Sequence, residues 1–347
     1  MGKVWFVGAG PGDPDLITIR GRDLVARAGA ILYAGSLVSD TALRWAPPDC
    51  VIADSKDLDL EAIAAWLIDQ AGRHECVVRL QTGDPSLYGA LIEMVRPLDA
   101  ARIEVGVVPG ISSALASAAA AVESLTLPEV TQTVIITRVA GRTPMPEGES
   151  LAELARHHCT LCIFLSITLL KEIQVELRAA GWRADAPVLV VHKASWPGEE
   201  VILRGTLADI RDQCRAAGIH SQAMIIVSPT LGARHWPTLQ KSKLYDASFG
   251  HRFRRSSASP TARAEEQAPG YPDPPASLQT PPPHELGCLA QAPDSLAPSP
   301  LAGEGRGEGP EGLSRPDTAN PKPAPGGYTT NSATPLQGVA PGTEDQA

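Results

Sequence analysis

From Val4 to Val227 the chain alternates short apolar runs with amphipathic or alanine-rich stretches, and this alternation leaves few folds open. The runs Val4–Val7, Ile31–Tyr33, Cys76–Leu80, Glu104–Val108, Thr133–Thr137, Leu161–Leu165, Val188–Val191, Val201–Leu203 and Met224–Val227 are predicted strands. Between them, Leu60, Ile63, Ala64, Leu67, Ile68 and Ala71 share one face at helical spacing. Leu170, Ile173 and Leu177 form a second stripe, and the alanine-rich Ser112–Val122 a third. Strands alternating with helices imply an α/β fold whose parallel sheets are covered on both faces. Nine strands are too many for one small sheet. The connection Glu123–Gln132 contains Pro128 and no regular period, so it is the expected junction. The expected division is an N-terminal α/β domain over 1–123 and a C-terminal α/β domain over 124–254.

Composition changes near residue 255. Of 32 prolines and 31 glycines, 18 and 11 fall in the last 93 residues, where large apolar side chains are few. Such a segment cannot bury enough surface to offset its ordering entropy, so a Pro/Gly-rich disordered tail is expected over 255–347. The tail also carries much of the formal charge of −9. Residues 1–254 hold 25 basic and 28 acidic side chains, a net of −3 with no basic cluster, which argues against a nucleic-acid binder. No apolar run approaches the ~18 residues of a membrane helix. The N-terminus enters a strand at once without a signal-peptide pattern, so the cytoplasm is the expected location. The six cysteines are widely spread. Cys159 and Cys162 have a CxxC spacing, but the pair lies by an apolar run with no second pair to complete a zinc site. They are read as small buried strand residues, and no metal is expected.

The first strand runs into Gly8-Ala9-Gly10-Pro11-Gly12-Asp13-Pro14. Dinucleotide binding needs G-x-G-x-x-G, and here the third glycine comes one residue early. Pro11 removes an amide that could face a pyrophosphate, and Tyr33-Ala34-Gly35 offers no acid after the second strand. A P-loop pattern is absent. A nicotinamide-dependent oxidoreductase is therefore disfavoured.

The run Val7–Thr18 resembles the first motif of the tetrapyrrole (corrin/porphyrin) methylases. Arg79-Leu80-Gln81-Thr82-Gly83-Asp84-Pro85 resembles their second motif, and Val108-Pro109-Gly110-Ile111-Ser112-Ser113-Ala114 their third. The motifs come in the family's order and each follows a predicted strand, the end of an α/β sheet where ligands bind. The resemblance implies a two-domain methylase fold, each domain a mostly parallel or mixed sheet flanked by helices, with the active-site cleft between them. It further implies S-adenosyl-L-methionine as methyl donor, a tetrapyrrole as small-molecule substrate, and a homodimer; the charge and hydropathy above add the expectation of neither nucleic acid nor membrane as partner. Carried over position by position, the donor site would comprise Pro11, Thr82, Gly83, Asp84, Leu87, Ser112 and Ser113, with Leu165 and Ala194 from the second domain. Asp84 is expected to accept from the ribose or amino group; the alternative for Thr82–Pro85 is a turn with an aspartate helix cap.

Several segments are similar to the subgroup that methylates precorrin-4 at C-11: Tyr33–Val38, Thr126–Thr133, Arg138–Pro146, Lys193–Pro197 and Ser242–Asp246. Uroporphyrinogen methylases resemble Tyr-Asp-Arg-Leu-Val after the second strand, with the aspartate proposed as a base; this chain has Ala34-Gly35-Ser36 there. Sister methylases acting at C-2/C-7 or another ring position stay open, as does a cobalt-containing substrate. The acetates and propionates of such a substrate suit cationic side chains, arginine above all. Arg138, Arg142 and Lys193 are the candidates, with Arg20 and Arg22 weaker ones. No catalytic acid or base is assigned.

Overall fold

The computed structural model describes residues 1–239, 241–247, 249, 250, 252 and 254. The tail over 255–347, including Cys288, lies outside the described residues. Among the described residues, ten strands form two five-stranded sheets.

The first sheet contains β1 (Lys3–Gly8), β2 (Ala30–Tyr33), β3 (Val51–Asp54), β4 (Cys76–Gln81) and β5 (Val105–Val108). All pairs are parallel, in the order β3-β2-β4-β1-β5, with Val4 opposite Val77 and Val105. Alternation along the strands divides the core. Val7, Ile31, Val78 and Leu80 pack with Leu24 and Val25 of α1 (Ile19–Val25) on one face. Val4, Phe6, Leu32 and Val77 pack on the other face. There they meet Ile63 and Leu67 of α2 (Leu60–Ala71) and Met94 and Leu98 of α3 (Leu91–Ala100). Ile63, Ala64, Leu67 and Ala71 of the predicted stripe form this buried face, with Ile68 partly buried and Leu60, at the helix start, exposed. Its N-cap is Asp59, whose carboxylate accepts from the Ala62 N–H and satisfies an otherwise free donor.

The strand β3 has no counterpart among the predicted ones. It is four residues long, pairs only with β2, and leaves Val51 and Ile52 exposed. A short edge strand has neither the continuous apolar run nor the clean alternation that marks a buried one.

The second sheet contains β6 (Val134–Arg138), β7 (Thr160–Phe164), β8 (Pro187–His192), β9 (Val201–Thr206) and β10 (Ala223–Val227), in the order β6-β7-β10-β8-β9. Only β6 and β7 are parallel; the other three pairs are antiparallel. The parallel arrangement implied by strand–helix alternation therefore holds for the first sheet and fails for the second, which is mixed. Residues 193–200 between β8 and β9 are too few for the crossover a parallel pair requires, so those strands form a hairpin.

One face of this sheet is covered by α5 (Leu151–Leu154), α6 (Leu170–Ala179) and α7 (Ile210–Ala216), with Ile173, Leu177 and Ile210 in the core. The other face packs against α4 (Ser113–Ala120), the helix that follows β5. Ala114 and Ala116 of α4 sit with Cys162, Leu189, Val191, Met224 and Ile226. Small side chains let that helix lie close to the strands. Beyond it, Glu123 pairs with Arg204 of β9 and accepts from the Gly232 N–H at 3.0 Å. Among the described residues, no helix is long and apolar enough to cross a membrane.

Candidate active site

Because β4, β1 and β5 are neighbours, the three motif loops leave the sheet side by side. Glycine is what lets them meet. A Cβ on Gly8 would fall 2.5 Å from the Gly83 carbonyl oxygen and 2.6 Å from Gly110, and one on Gly110 would run into that same carbonyl. Gly83 N–H donates to the Gly10 carbonyl at 2.8 Å, closing a short antiparallel bridge between the first and second loops. Asp84 ties the second to the third: its Oδ2 accepts from Gly110 N–H at 2.9 Å and its Oδ1 from Ser86 N–H at 2.8 Å. Burial opposes ionisation of this carboxyl, but the Gly110 and Ser86 N–H donors together with the Ser86 hydroxyl outweigh it and hold the pKa below the usual carboxylate value. Asp84 is not a helix cap, since α3 starts at Leu91 behind a left-handed Ala90. The expectation that it serves the ribose or amino group changes accordingly: both oxygens already hold backbone, and any ligand contact is additional.

The second half of the molecule reaches over this knot through residues 193–196. Trp196 Nε1 donates to the Pro11 carbonyl at 3.1 Å, and Asp13 N–H donates to Ser195 Oγ at 3.0 Å. The indole lies so near Gly12 that a Cβ there would overlap it. The Lys193 ammonium pairs with Glu199 and stands 4.9 Å from the Trp196 ring centroid, a cation–π distance.

Between the halves is a cavity of about 200 Å³. All nine residues expected at a donor site line it: Pro11, Thr82, Gly83, Asp84, Leu87, Ser112, Ser113, Leu165 and Ala194. Of the substrate candidates, only Lys193 does. The Arg138 guanidinium donates to the carbonyls of Val139, Thr143 and Pro144, at 3.4, 3.1 and 2.7 Å, and so fastens its own loop. Arg142 is exposed on that loop, outside the cavity. Arg20 lies over the Trp5 ring and Arg22 pairs with Asp23, both away from it.

Sequence reasoning missed several lining residues. Tyr88 lies three residues after the second motif, and its ring meets Phe164 of β7 at the cavity with 5.2 Å between centroids. Burial raises the Tyr88 phenol above its usual pKa, with nearby Arg138 working against the shift. Gln222 lines the cavity and donates from Nε2 to the Ser36 carbonyl at 2.8 Å, joining the second half to the loop after β2. Nothing in the sequence around Gln222 signals that role. Trp196 lies in the Lys193–Pro197 segment, but its contact with Gly12 is purely tertiary.

Four non-glycine residues on the cavity wall have left-handed backbone: Tyr88, Leu165, Lys193 and Gln222, with φ of 55°, 54°, 47° and 49°. Each such residue costs about 1 kcal/mol or more, and such strain persists where surrounding structure enforces it, often at functional sites. Leu165 was predicted as the end of a strand. The strand stops at Phe164, and the turn at Leu165 leaves its side chain 67% exposed at the cavity.

The cysteine pair is buried as expected. Cys162 is fully enclosed in β7, with its thiol pushed up to about 12 by burial, and Cys159 lies just before the strand. No group of three or more metal-ligating side chains occurs among the described residues.

The family described as tetrapyrrole (corrin/porphyrin) methylases matches residues 3–211. A cobalt-precorrin-4 C(11)-methyltransferase of Priestia megaterium is 44% identical over 253 residues, 73% of this chain and 98% of the relative. A precorrin-4 C(11)-methyltransferase of Pseudomonas aeruginosa is 45% identical over 251 residues, 72% of this chain and 98% of the relative. Among solved structures, a cobalamin biosynthetic enzyme, cobalt precorrin-4 methyltransferase, superposes with a TM-score of 0.63 at 45% identity, covering 65% of this chain and 94% of that one. A uroporphyrin-III C-methyltransferase of Thermus thermophilus complexed with S-adenosyl homocysteine gives 0.55 at 29% identity, covering 67% and 94%. The chain belongs to the tetrapyrrole methylases.

Proposed function

We propose that the protein transfers a methyl group from S-adenosylmethionine to C-11 of precorrin-4, giving precorrin-5 on the route to the corrin ring of cobalamin. The carrying observation is that nine residues drawn from three separate loops of the first half and two of the second line one cavity. The ring position is supported by the 44–45% identity to relatives named for C-11, against 29% for the uroporphyrin-III enzyme. Ala34-Gly35-Ser36, in place of that enzyme class's aspartate-bearing segment, points the same way. Relatives named for cobalt-containing and metal-free substrate are equally similar, so both are substrates to assay.

The donor supplies a methyl group on a sulfonium, whose departure leaves a neutral thioether and needs no acid. What remains for the protein is alignment and exclusion of water. The glycine knot brings main chain, rather than side chains, to one wall of the cavity, and the helix α4 presents its first turn there. Leu87, Leu165 and Ala194 supply apolar walls. Lys193 and Arg142 are assigned to the substrate's carboxylates, and Arg138 to holding the loop that carries Arg142. The chain is read as two domains, 1–123 and 124–254, acting as a homodimer in the cytoplasm without nucleic-acid or membrane partners.

The test is incubation with S-adenosylmethionine and either metal-free or cobalt-loaded precorrin-4. Mass spectrometry should register one added methyl group and carbon NMR should locate it at C-11. Methylation at another carbon overturns the ring assignment. Binding of NAD or NADP without binding of S-adenosylhomocysteine overturns the reading altogether.

A further inference from the structure

Ser117 is the one polar side chain in the run Ala114–Ala120 of α4, whose other residues are alanines and Leu115. It lines the cavity, one helical turn beyond Ser113, yet the residue is 0% exposed. Its hydroxyl has no hydrogen-bond partner. A helical serine ordinarily relieves itself by bonding back to the carbonyl four residues earlier, here that of Ser113, and this one does not. Its main-chain carbonyl is already engaged by the Ala121 N–H. An unpartnered buried hydroxyl is destabilising, whereas alanine at the same site would pack in its place at no such cost. The neighbouring walls, Val191 of β8 and Met224 of β10, are apolar and offer it nothing.

We propose that Ser117 Oγ is a donor-binding residue whose partner is the nucleoside end of the bound S-adenosyl ligand. This rests on the reading of the cavity as the methyl-donor site. The first turn of α4, where Ser112 Oγ accepts from the Ala114 N–H at 3.3 Å, presents the positive end of the helix dipole, which suits the ligand's carboxylate. Ser117 lies about 6 Å further along the axis, against the flat apolar wall of the second sheet. A purine or ribose is the part of the ligand that matches such a wall and still carries hydrogen-bonding atoms. Rotation of the hydroxyl allows it to donate to a ring nitrogen or accept from an amino group.

The experiment is calorimetry of Ser117→Ala and Ser117→Cys with S-adenosylhomocysteine and with 5′-methylthioadenosine, which keeps the nucleoside and lacks the amino acid. Thermal melts of the unliganded proteins accompany it. For Ser117→Ala, Kd should rise about fivefold to tenfold for both ligands, while the unliganded Tm stays the same or rises. Ser117→Cys, with a weak donor of similar shape, should fall between. Unchanged affinity in Ser117→Ala overturns the assignment, as does a lowered unliganded Tm, which would make the hydroxyl structural. Loss of affinity for S-adenosylhomocysteine alone overturns the nucleoside as its partner. If the unsubstituted protein binds neither ligand, the donor-site reading fails first, and that outcome is distinct from the others.

Discussion

The two halves of the molecule build their sides of the cavity by different means. The first half offers three loops from adjacent parallel strands, joined backbone to backbone through Gly8, Gly10, Gly83 and Gly110 and pinned by Asp84. The second half offers single residues at the ends of strands in a mixed sheet, three of them, Leu165, Lys193 and Gln222, held left-handed without being glycine. The first side is made by removing side chains so that main chains can touch. The second is made by aiming side chains through strained turns, and its sheet relies on α4, the helix that follows β5 of the first sheet, to cover one face. A wall of touching backbone tolerates almost no substitution, whereas a wall of aimed side chains should lose function before it loses stability.

That contrast has measurable consequences. Gly110→Ala should be the most damaging change, because its methyl group meets the Gly83 carbonyl in a place neither loop can leave. A loss of about 3 kcal/mol or more in chemical denaturation is expected, and a near-native midpoint would break the picture of a rigid knot. Leu165→Gly should do the reverse on the other wall, raising stability by about 1 kcal/mol through relief of the left-handed backbone, while kcat/KM falls as the apolar wall is lost.

Asp84→Asn weakens the tie between the second and third loops and should cost about 1 kcal/mol at neutral pH. Here the pH dependence has a definite sign. The folded pKa of Asp84 is depressed, so its contribution is fully present above the unfolded carboxyl value of about 4 and is lost as pH falls through the lower folded value. Stability curves of Asp84→Asn and the unsubstituted protein should therefore be separated at pH 6 to 8 and converge in acid, as measured by urea titration across that range. A constant gap at all pH values would assign the effect to packing instead. The smallest effect belongs to Arg142→Ala, which should raise KM for the tetrapyrrole about threefold with the affinity for S-adenosylhomocysteine unchanged.

The first half was legible because its function lies in backbone geometry, and backbone geometry demands particular residues at particular spacings. Gly8, Gly83 and Gly110 stand in recognisable runs after strands whose apolar patterns are strong, and the same holds for the alanines of α4. The α/β class could be named from such local signals, and the motifs' resemblance to the family implied the nine expected lining positions, Leu165 and Ala194 of the second half among them. What the chain order could not express is adjacency between strands. That β4, β1 and β5 are neighbours, and hence that three distant loops form one knot, was decided by sheet order. The antiparallel pairings of the second sheet, the exposed edge strand β3, and the contacts of Trp196 with Gly12 and of Gln222 with Ser36 were likewise settled only by packing. Arg138 shows the limit from the other side: its residue type suggested a carboxylate partner, but three carbonyls of its own loop came within reach first. Sequence determines which backbone conformations and which faces are available. Tertiary structure decides which of them meet, because the free energy of a contact depends on neighbours in space that chain order does not name.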